Sequence, residues 1–304
     1  MKFRQPLLLG LSFIALAMIS VYSFRLYAQQ RNPALIVHPS NFSLTYQNTP
    51  TAETVTLDNT TDQPITIQAE LRNFTAQGEE GGVNLTQDDT GYSLAKWIQV
   101  TPSTVTIPAR SSQDFSFTIT PPANAEPGGH YGSIVFATVP GTTKGTGAAV
   151  SEQVASLILY TIPGNTTENA DVESFAPNKP FYQFGPVNFS LRVKNLGQVH
   201  IQPAGQILIK GSFGDQYVVN LQPYNVLPTA IRDIPIVLSK HLLIGKYTVQ
   251  LIATYGDTNK QLSGSTEFYA FPVEYGLIVL AVLFILFLIR KRLGKAFKTM
   301  ITGK

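Results

Sequence analysis

Between residue 29 and about residue 270 apolar side chains recur at every second position: Val55-Thr56-Leu57, Ile65-Thr66-Ile67, Phe115-Ser116-Phe117-Thr118-Ile119, Phe189-Ser190-Leu191-Arg192-Val193 and Val249-Gln250-Leu251. A period of two is the mark of half-buried strands, because successive side chains of a strand point to opposite faces. Pro and Gly punctuate these runs at Pro102, Pro108, Pro121-Pro122, Pro127-Gly128-Gly129, Pro163-Gly164, Pro186 and Pro228, with no long helical periodicity between them. The pattern predicts an all-β chain built of sandwiches.

A weak repeat divides that segment in two. In the first half a strand ends at Leu57-Asp58-Asn59. Then follow Val105-Thr106-Ile107-Pro108, Asp114 before Phe115, and Gly129-His130-Tyr131 before Ile134-Val135-Phe136. The second half repeats the order with Val193-Lys194-Asn195, Val226-Leu227-Pro228, Asp233 before Ile234, and Gly245-Lys246-Tyr247 before Val249. The expectation is two immunoglobulin-like β-sandwich domains, residues 29–163 and 164–270, with the Gly- and acid-rich stretch 78–92 as an insertion in the first copy. Pro163 to Asn169 reads as the linker, and Pro140 to Ala149 as a long mobile hairpin.

The ends have a different pattern. Lys2 and Arg4 precede an apolar run from Leu7 to Phe24 and then Tyr27-Ala28. This is the layout of a secretory signal cleaved after Ala28 or, in the rival reading, of an uncleaved anchor; either would span residues 1–28. Residues 271–289 are almost wholly apolar apart from Glu274, with Phe268, Tyr269, Phe271 and Tyr275 at the outer boundary and Arg290-Lys291-Arg292 immediately after. A span that crosses membrane lipid through 271–289, with a basic cytoplasmic tail 290–304, follows from the length of the run and from the cations beside it. The bulk of the chain is then extracytoplasmic, on a single-pass cell-membrane protein.

Charge sharpens that division. The 304-residue chain has a formal net charge of +3, yet nine of its 22 Lys and Arg lie in the two end segments. The part between carries thirteen Lys and Arg against all nineteen Asp and Glu, a net charge of −6. A nucleic-acid partner is excluded there for want of a basic footprint. With no Cys, disulfides, thiolate metal ligands and a thiol nucleophile are excluded too.

Motif chemistry is sparse. His38, His130, His200 and His241 are scattered, and no HExxH, GxSxG or glycine-rich phosphate loop occurs, so neither an enzyme nor a cofactor is indicated. Asp58, Asp62, Asp88 and Asp89 lack the order of a calcium loop. Trp97 reads as a binding anchor or, more commonly in sandwiches, a core residue. The densest local signal is Pro127-Gly128-Gly129-His130-Tyr131-Gly132. His130 and Tyr131 at a glycine-rich rim could grip a sugar; alternatively the glycines make a turn and Tyr131 enters the core, as Tyr247 would, and this second reading is preferred. The four acids of the 78–92 stretch, Glu79, Glu80, Asp88 and Asp89, would suit a cationic partner or act as solvated loop charges. Six N-x-[ST] sequons, at Asn41, Asn59, Asn73, Asn84, Asn165 and Asn188, are glycan acceptors or chance products of an Asn- and Thr-rich chain.

The series Val55 to Asp62, the Trp97 strand, Val105 to Ala109 with Phe115 to Ile119, and Pro127 to Phe136 resembles the first domain of the bacterial WxL-interacting surface proteins, also catalogued as a domain of unknown function. That family has a signal peptide, two immunoglobulin-like domains, one C-terminal membrane helix and a short basic tail, so the resemblance covers nearly the whole chain. The second domain matches less well. The resemblance implies a non-enzymatic module whose first domain is associated with cell-wall polymer (peptidoglycan) and whose second is associated with host or matrix proteins, beside a surface protein partner. The rival from a different class is a hydrolase or modifying enzyme acting on cell-wall glycan.

Overall fold

The computed structural model describes residues 33–139 and 152–302, with side chains to Arg290. The signal or anchor segment 1–28 and the stretch Pro140 to Ala149 lie outside the described residues. Ten strands make the first sandwich: β1 (Leu35–His38), β2 (Asn41–Thr45), β3 (Thr51–Asn59), β4 (Ile65–Gln77), β5 (Gly82–Thr86), β6 (Ile98–Thr101), β7 (Thr104–Ile107), β8 (Ser112–Ile119), β9 (Gly128–Thr138) and β10 (Gln153–Ile162). One sheet runs β1-β3-β8-β6, and the other β2-β10-β9-β4-β5 with β7 also on β4. Eight more strands make the second: β11 (Ala170–Pro177), β12 (Phe181–Tyr182), β13 (Val187–Asn195), β14 (Ala204–Gly211), β15 (Gln216–Asn220), β16 (Ile231–Leu238), β17 (Gly245–Tyr255) and β18 (Lys260–Ala270). Their sheets run β11-β13-β16 and β12-β18-β17-β14-β15.

The two sandwiches share one plan. The short strand β2 joins β10 in parallel, as β12 joins β18, while the sheets are otherwise antiparallel. Each has its own core: Val55, Leu57, Phe115, Phe117, Ile134 and Phe136 in the first, Leu191, Val193, Ile207, Ile209, Val249 and Leu251 in the second. Alternation puts these side chains inward, and each fully buried one contributes roughly 1.5–3 kcal/mol.

A buried asparagine closes the same corner in both. Asn59 Nδ2 donates to the carbonyls of Gln63, Ile107 and Pro108, and its Oδ1 accepts from Thr61 N–H. Asn195 Nδ2 donates to Val199 and Val226, and its Oδ1 accepts from Gly197 N–H. These bonds satisfy carbonyls of the turn that strand pairing leaves open, those of Gln63, Pro108 and Val199 among them. They also dispose of a sequon. Asn59 is buried with its amide fully used, and Asn73 is buried with its Nδ2 donating to Asp88 O, so neither offers a nitrogen to a glycan in the folded chain.

The supposed insertion lies elsewhere than the sequence repeat suggests. The stretch 78–92 contains β5, which holds the place in its sheet that β15 holds in the second sandwich. The extra chain lies between β5 and β8, over residues 87 to 111 against 221 to 230, and adds a 3-10 turn (Ala95–Trp97) and β6.

At the far end α1 (Val273–Thr302) starts two residues after β18. Its segment Val273–Arg290 has a mean hydropathy of 2.4 and none of it is buried. Eighteen helical residues rise about 27 Å, so this one helix is long and apolar enough to cross a bilayer.

Candidate functional site

Of the six sequence candidates, Glu79 and Tyr131 lie where the two sandwiches meet, and the other four do not. Glu79 lies in the turn between β4 and β5, and this turn reaches the second sandwich. Arg192 Nε and Nη2, on β13, donate to Glu79 Oε2 and Oε1 at 2.6 Å each. The backbone joins in, as Asp233 N–H donates to Glu79 O at 2.8 Å. The Arg192 fork holds the Glu79 carboxyl below its usual range through hydrogen bonds and charge. Gly81, at a φ of +88°, leaves room for the Arg232 guanidinium, which a Cβ would strike. That guanidinium also lies 4.8 Å above the Tyr224 ring, and its Nε is buried without a partner.

The other three acids stay in the first sandwich. Glu80 is exposed. Asp88 accepts from Thr86 Oγ1 at 2.9 Å, and Asp89 pairs with Lys96. Asn73 binds the loop that carries them, accepting from Leu94 and Ala95 N–H at 3.0 and 2.8 Å.

His130 and Tyr131 are both buried, so neither presents a face to a sugar in solution. His130 points inward, its ring 4.4 Å from Trp97 and its Nε2 3.0 Å from Glu126 O; its Nδ1 is buried without a partner. Tyr131 points the opposite way and forms a small cluster with Phe74 and Leu159, against which Tyr92 and Leu227 pack. Here the expectation that Tyr131 matches Tyr247 fails by one residue. β9 and β17 each start at a glycine with positive φ, Gly128 and Gly245, so His130 holds the place of Tyr247 and Tyr131 that of Thr248. A shift of one residue moves a side chain to the other face of the sheet.

Across from Tyr131 stands His200 of the second sandwich. Its Nδ1 is 3.4 Å from the Tyr131 hydroxyl, and its Nε2 is 3.3 Å from Ser43 Oγ on β2. Burial drives the Tyr131 phenol well above its ordinary value and pushes the His200 imidazole down to about 4, so His200 is neutral near pH 7. Close by, Gly129 N–H donates to Gln198 O at 2.9 Å.

Two clefts flank this contact. One, of about 240 Å³, is walled by Phe74, Leu157, Leu159, Tyr224, Leu227 and Arg232. The other, of about 370 Å³, is shaped by Tyr92, Tyr131, Glu79 and Pro228. Both pair apolar walls with a few polar groups, the makeup of a binding cleft for a side chain or small group. Among the described residues no three of His, Cys, Asp and Glu converge as metal ligands would. Arg192, Gln198 and Arg232 were not singled out in the sequence, and His200 was met there only as one of four scattered histidines. Each stands in an ordinary strand or turn, and only the docking of one sandwich on the other brings it to the first sandwich.

Residues 41–147 match the family model of an Fn3-like domain. No curated protein matches the chain. Among solved structures, the chain is similar to the YadV chaperone at 14% identity and a TM-score of 0.39, over 77% of this chain and 100% of that one. It is similar to the class 5 fimbriae chaperone CfaA at 15% and 0.39, over 77% and 98%. The chaperone DraB of E. coli gives 14% and 0.39, over 77% and 96%. The Fn3-like match and the sheets described above define a protein of immunoglobulin- or Fn3-like sandwiches with one helix long and apolar enough to span a membrane.

Proposed function

We propose that the chain is a single-pass surface protein whose two sandwiches form a non-enzymatic binding or scaffold module, held outside the cell by α1 with its C-terminus in the cytoplasm. The observation that carries this reading is mechanical. The sandwiches are clasped to one another through Glu79–Arg192 and Tyr131–His200, and the second passes into α1 with only Phe271 and Pro272 between. A module held at a fixed attitude on the membrane suits presentation of a binding surface. The resemblance to the WxL-interacting surface proteins supports cell-wall polymer, or a surface protein beside it, as the partner.

Two measurements test the reading. Protease added to intact cells or spheroplasts should remove residues 29 to about 270 and spare the Lys304 end; the reverse pattern overturns the topology. Full-length protein in membrane vesicles should then sediment with purified cell wall without releasing soluble fragments. Turnover of wall glycan that a single carboxylate or His substitution abolishes would establish the hydrolase instead.

A further inference from the structure

The end of the second sandwich from which α1 departs is built unlike a loop end in water. Register places its parts together: β17 begins opposite the end of β18 (Gly245 with Ala270), β12 pairs with Tyr269 and Ala270, and Gly211, just before the β14–β15 turn, lies beside Tyr247. The loop from β16 to β17 closes the same end. At these tips stand Phe213, 78% exposed, and Leu242, 51% exposed, with Ile244 and Phe181 also in solvent. Loop tips normally carry polar turn residues, so four large apolar side chains around one end form a patch that calls for a partner.

The helix fixes where that patch lies. Phe271 N–H donates to Tyr182 O at 3.0 Å. The Phe184 ring stacks on His241 at 5.0 Å and meets the α1 residue Tyr275 edge-on at 5.3 Å. Phe271 folds back on Gly276, where a Cβ would come within 3.0 Å of its ring. The first turn of α1 is thus pinned to the sandwich, and the apolar tips surround the point where the apolar helix leaves. Lys179 and Lys240 are exposed at the same end. Aromatic and aliphatic side chains with neighbouring lysines are what the boundary between headgroups and acyl chains accepts.

We propose that this end of the second sandwich is seated in the outer interfacial layer of the bilayer, with Phe213, Leu242, Ile244 and Phe181 inserted as a collar around α1. The proposal rests on reading α1 as a membrane span. Lipid, not a second copy of the chain, is the occupant chosen, because the patch is continuous with the lipid-facing surface of the helix. Such a seat holds both sandwiches at one tilt and height above the membrane.

The chain has no Cys, so single nitroxide labels can be placed at will. F213C, L242C, I252C and L280C are labelled in the full chain and reconstituted in bilayers, and collision with oxygen is compared with collision with a water-soluble nickel chelate. F213C and L242C should favour oxygen as L280C does. I252C, exposed on the outer face of β17 toward its other end, should favour the chelate. If L280C reports lipid while F213C and L242C match I252C, the seat is overturned and the span stands. If L280C meets the chelate, the span reading fails and takes the seat with it. Labels at 213 and 242 shielded from both reagents would show a protein contact, which also overturns the proposal.

Discussion

The central strands β9 and β17 occupy the same place in their sheets, yet β9 is buried along both faces while β17 alternates buried and exposed from end to end. The difference shows what each sheet faces. The outer side of β17 meets solvent with Lys246, Thr248, Gln250 and Ile252, whereas on β9 the corresponding side presents Tyr131 to the second sandwich. One copy of the repeat has thus turned the start of this outer face, at Gly129 and Tyr131, into an interface. That face decides how the two domains move together.

Cutting the two tyrosines, one on each face, separates the roles most sharply. Tyr247, stacked on Phe268 with rings 4.9 Å apart and donating to Asp215 Oδ2, belongs to the second core. Tyr247→Ala should cost about 4 kcal/mol, seen as an early unfolding transition of the second sandwich alone. Tyr131→Thr, which gives β9 the residue type of β17, should leave both cores intact and expose the 163–169 linker to limited proteolysis. Equal losses of core stability from the two variants would erase the distinction.

The shared corner provides the converse test. Asn195→Ala takes the side-chain donor from the carbonyl of Val199, and Asn59→Ala takes it from those of Gln63 and Pro108. Each should lower stability by about 3 kcal/mol in denaturant titrations, because a buried acceptor without a donor keeps its full desolvation penalty. A loss in one sandwich only would mean the corners are not equivalent.

The sequence made much of this plan readable, and the limits are physical. Period two marked the strands, Asn59 and Asn195 marked the matching corners, and the apolar run before Arg290 marked α1. What misled was the alignment of Gly129 with Gly245. Both halves contain Gly-x-Tyr, but the glycine with positive φ in the first is Gly128, and local similarity of letters carries no record of which face a side chain takes. Likewise the acids after Gly78 read as a free loop because their charge was visible and Arg192, far away in the chain, was not. The order of strands within a sheet, which identifies β5 with β15, is a long-range fact that spacing alone misplaces.

Acid should loosen the interface before it melts the cores. His200 has its pKa depressed to about 4 by burial against an ordinary 6.5, so the unfolded or separated state binds the proton first. Its contribution is therefore full above about pH 6.5 and falls as the pH drops toward 4, by on the order of 3 kcal/mol in all. Domain separation, followed by proteolysis of the linker or by scattering, should grow through that window, and His200→Gln should remove that growth. A profile unchanged by the substitution would place the sensitivity elsewhere.

The smallest effect belongs to the ion pair that joins the β4–β5 turn to β13. Glu79 and Arg192 are half-exposed, so solvent screens much of their attraction and side-chain ordering offsets part of the rest. Glu79→Gln keeps the shape and one acceptor while removing the charge, and the backbone bond from Asp233 to Glu79 O survives it. The expected result is a slight gain in linker cleavage at low salt that disappears at high salt, where a Debye length of about 3 Å at 1 M already weakens the native pair. Because the lowered Glu79 carboxyl is lost to protonation only below its usual range, this contribution fades at more acid pH than that of His200, and the two titrations are separable. A Glu79→Gln protein as salt-sensitive as the unchanged chain would show that the turn is held by its backbone and by Arg232 packed over Gly81, with the charge pair incidental to the clasp.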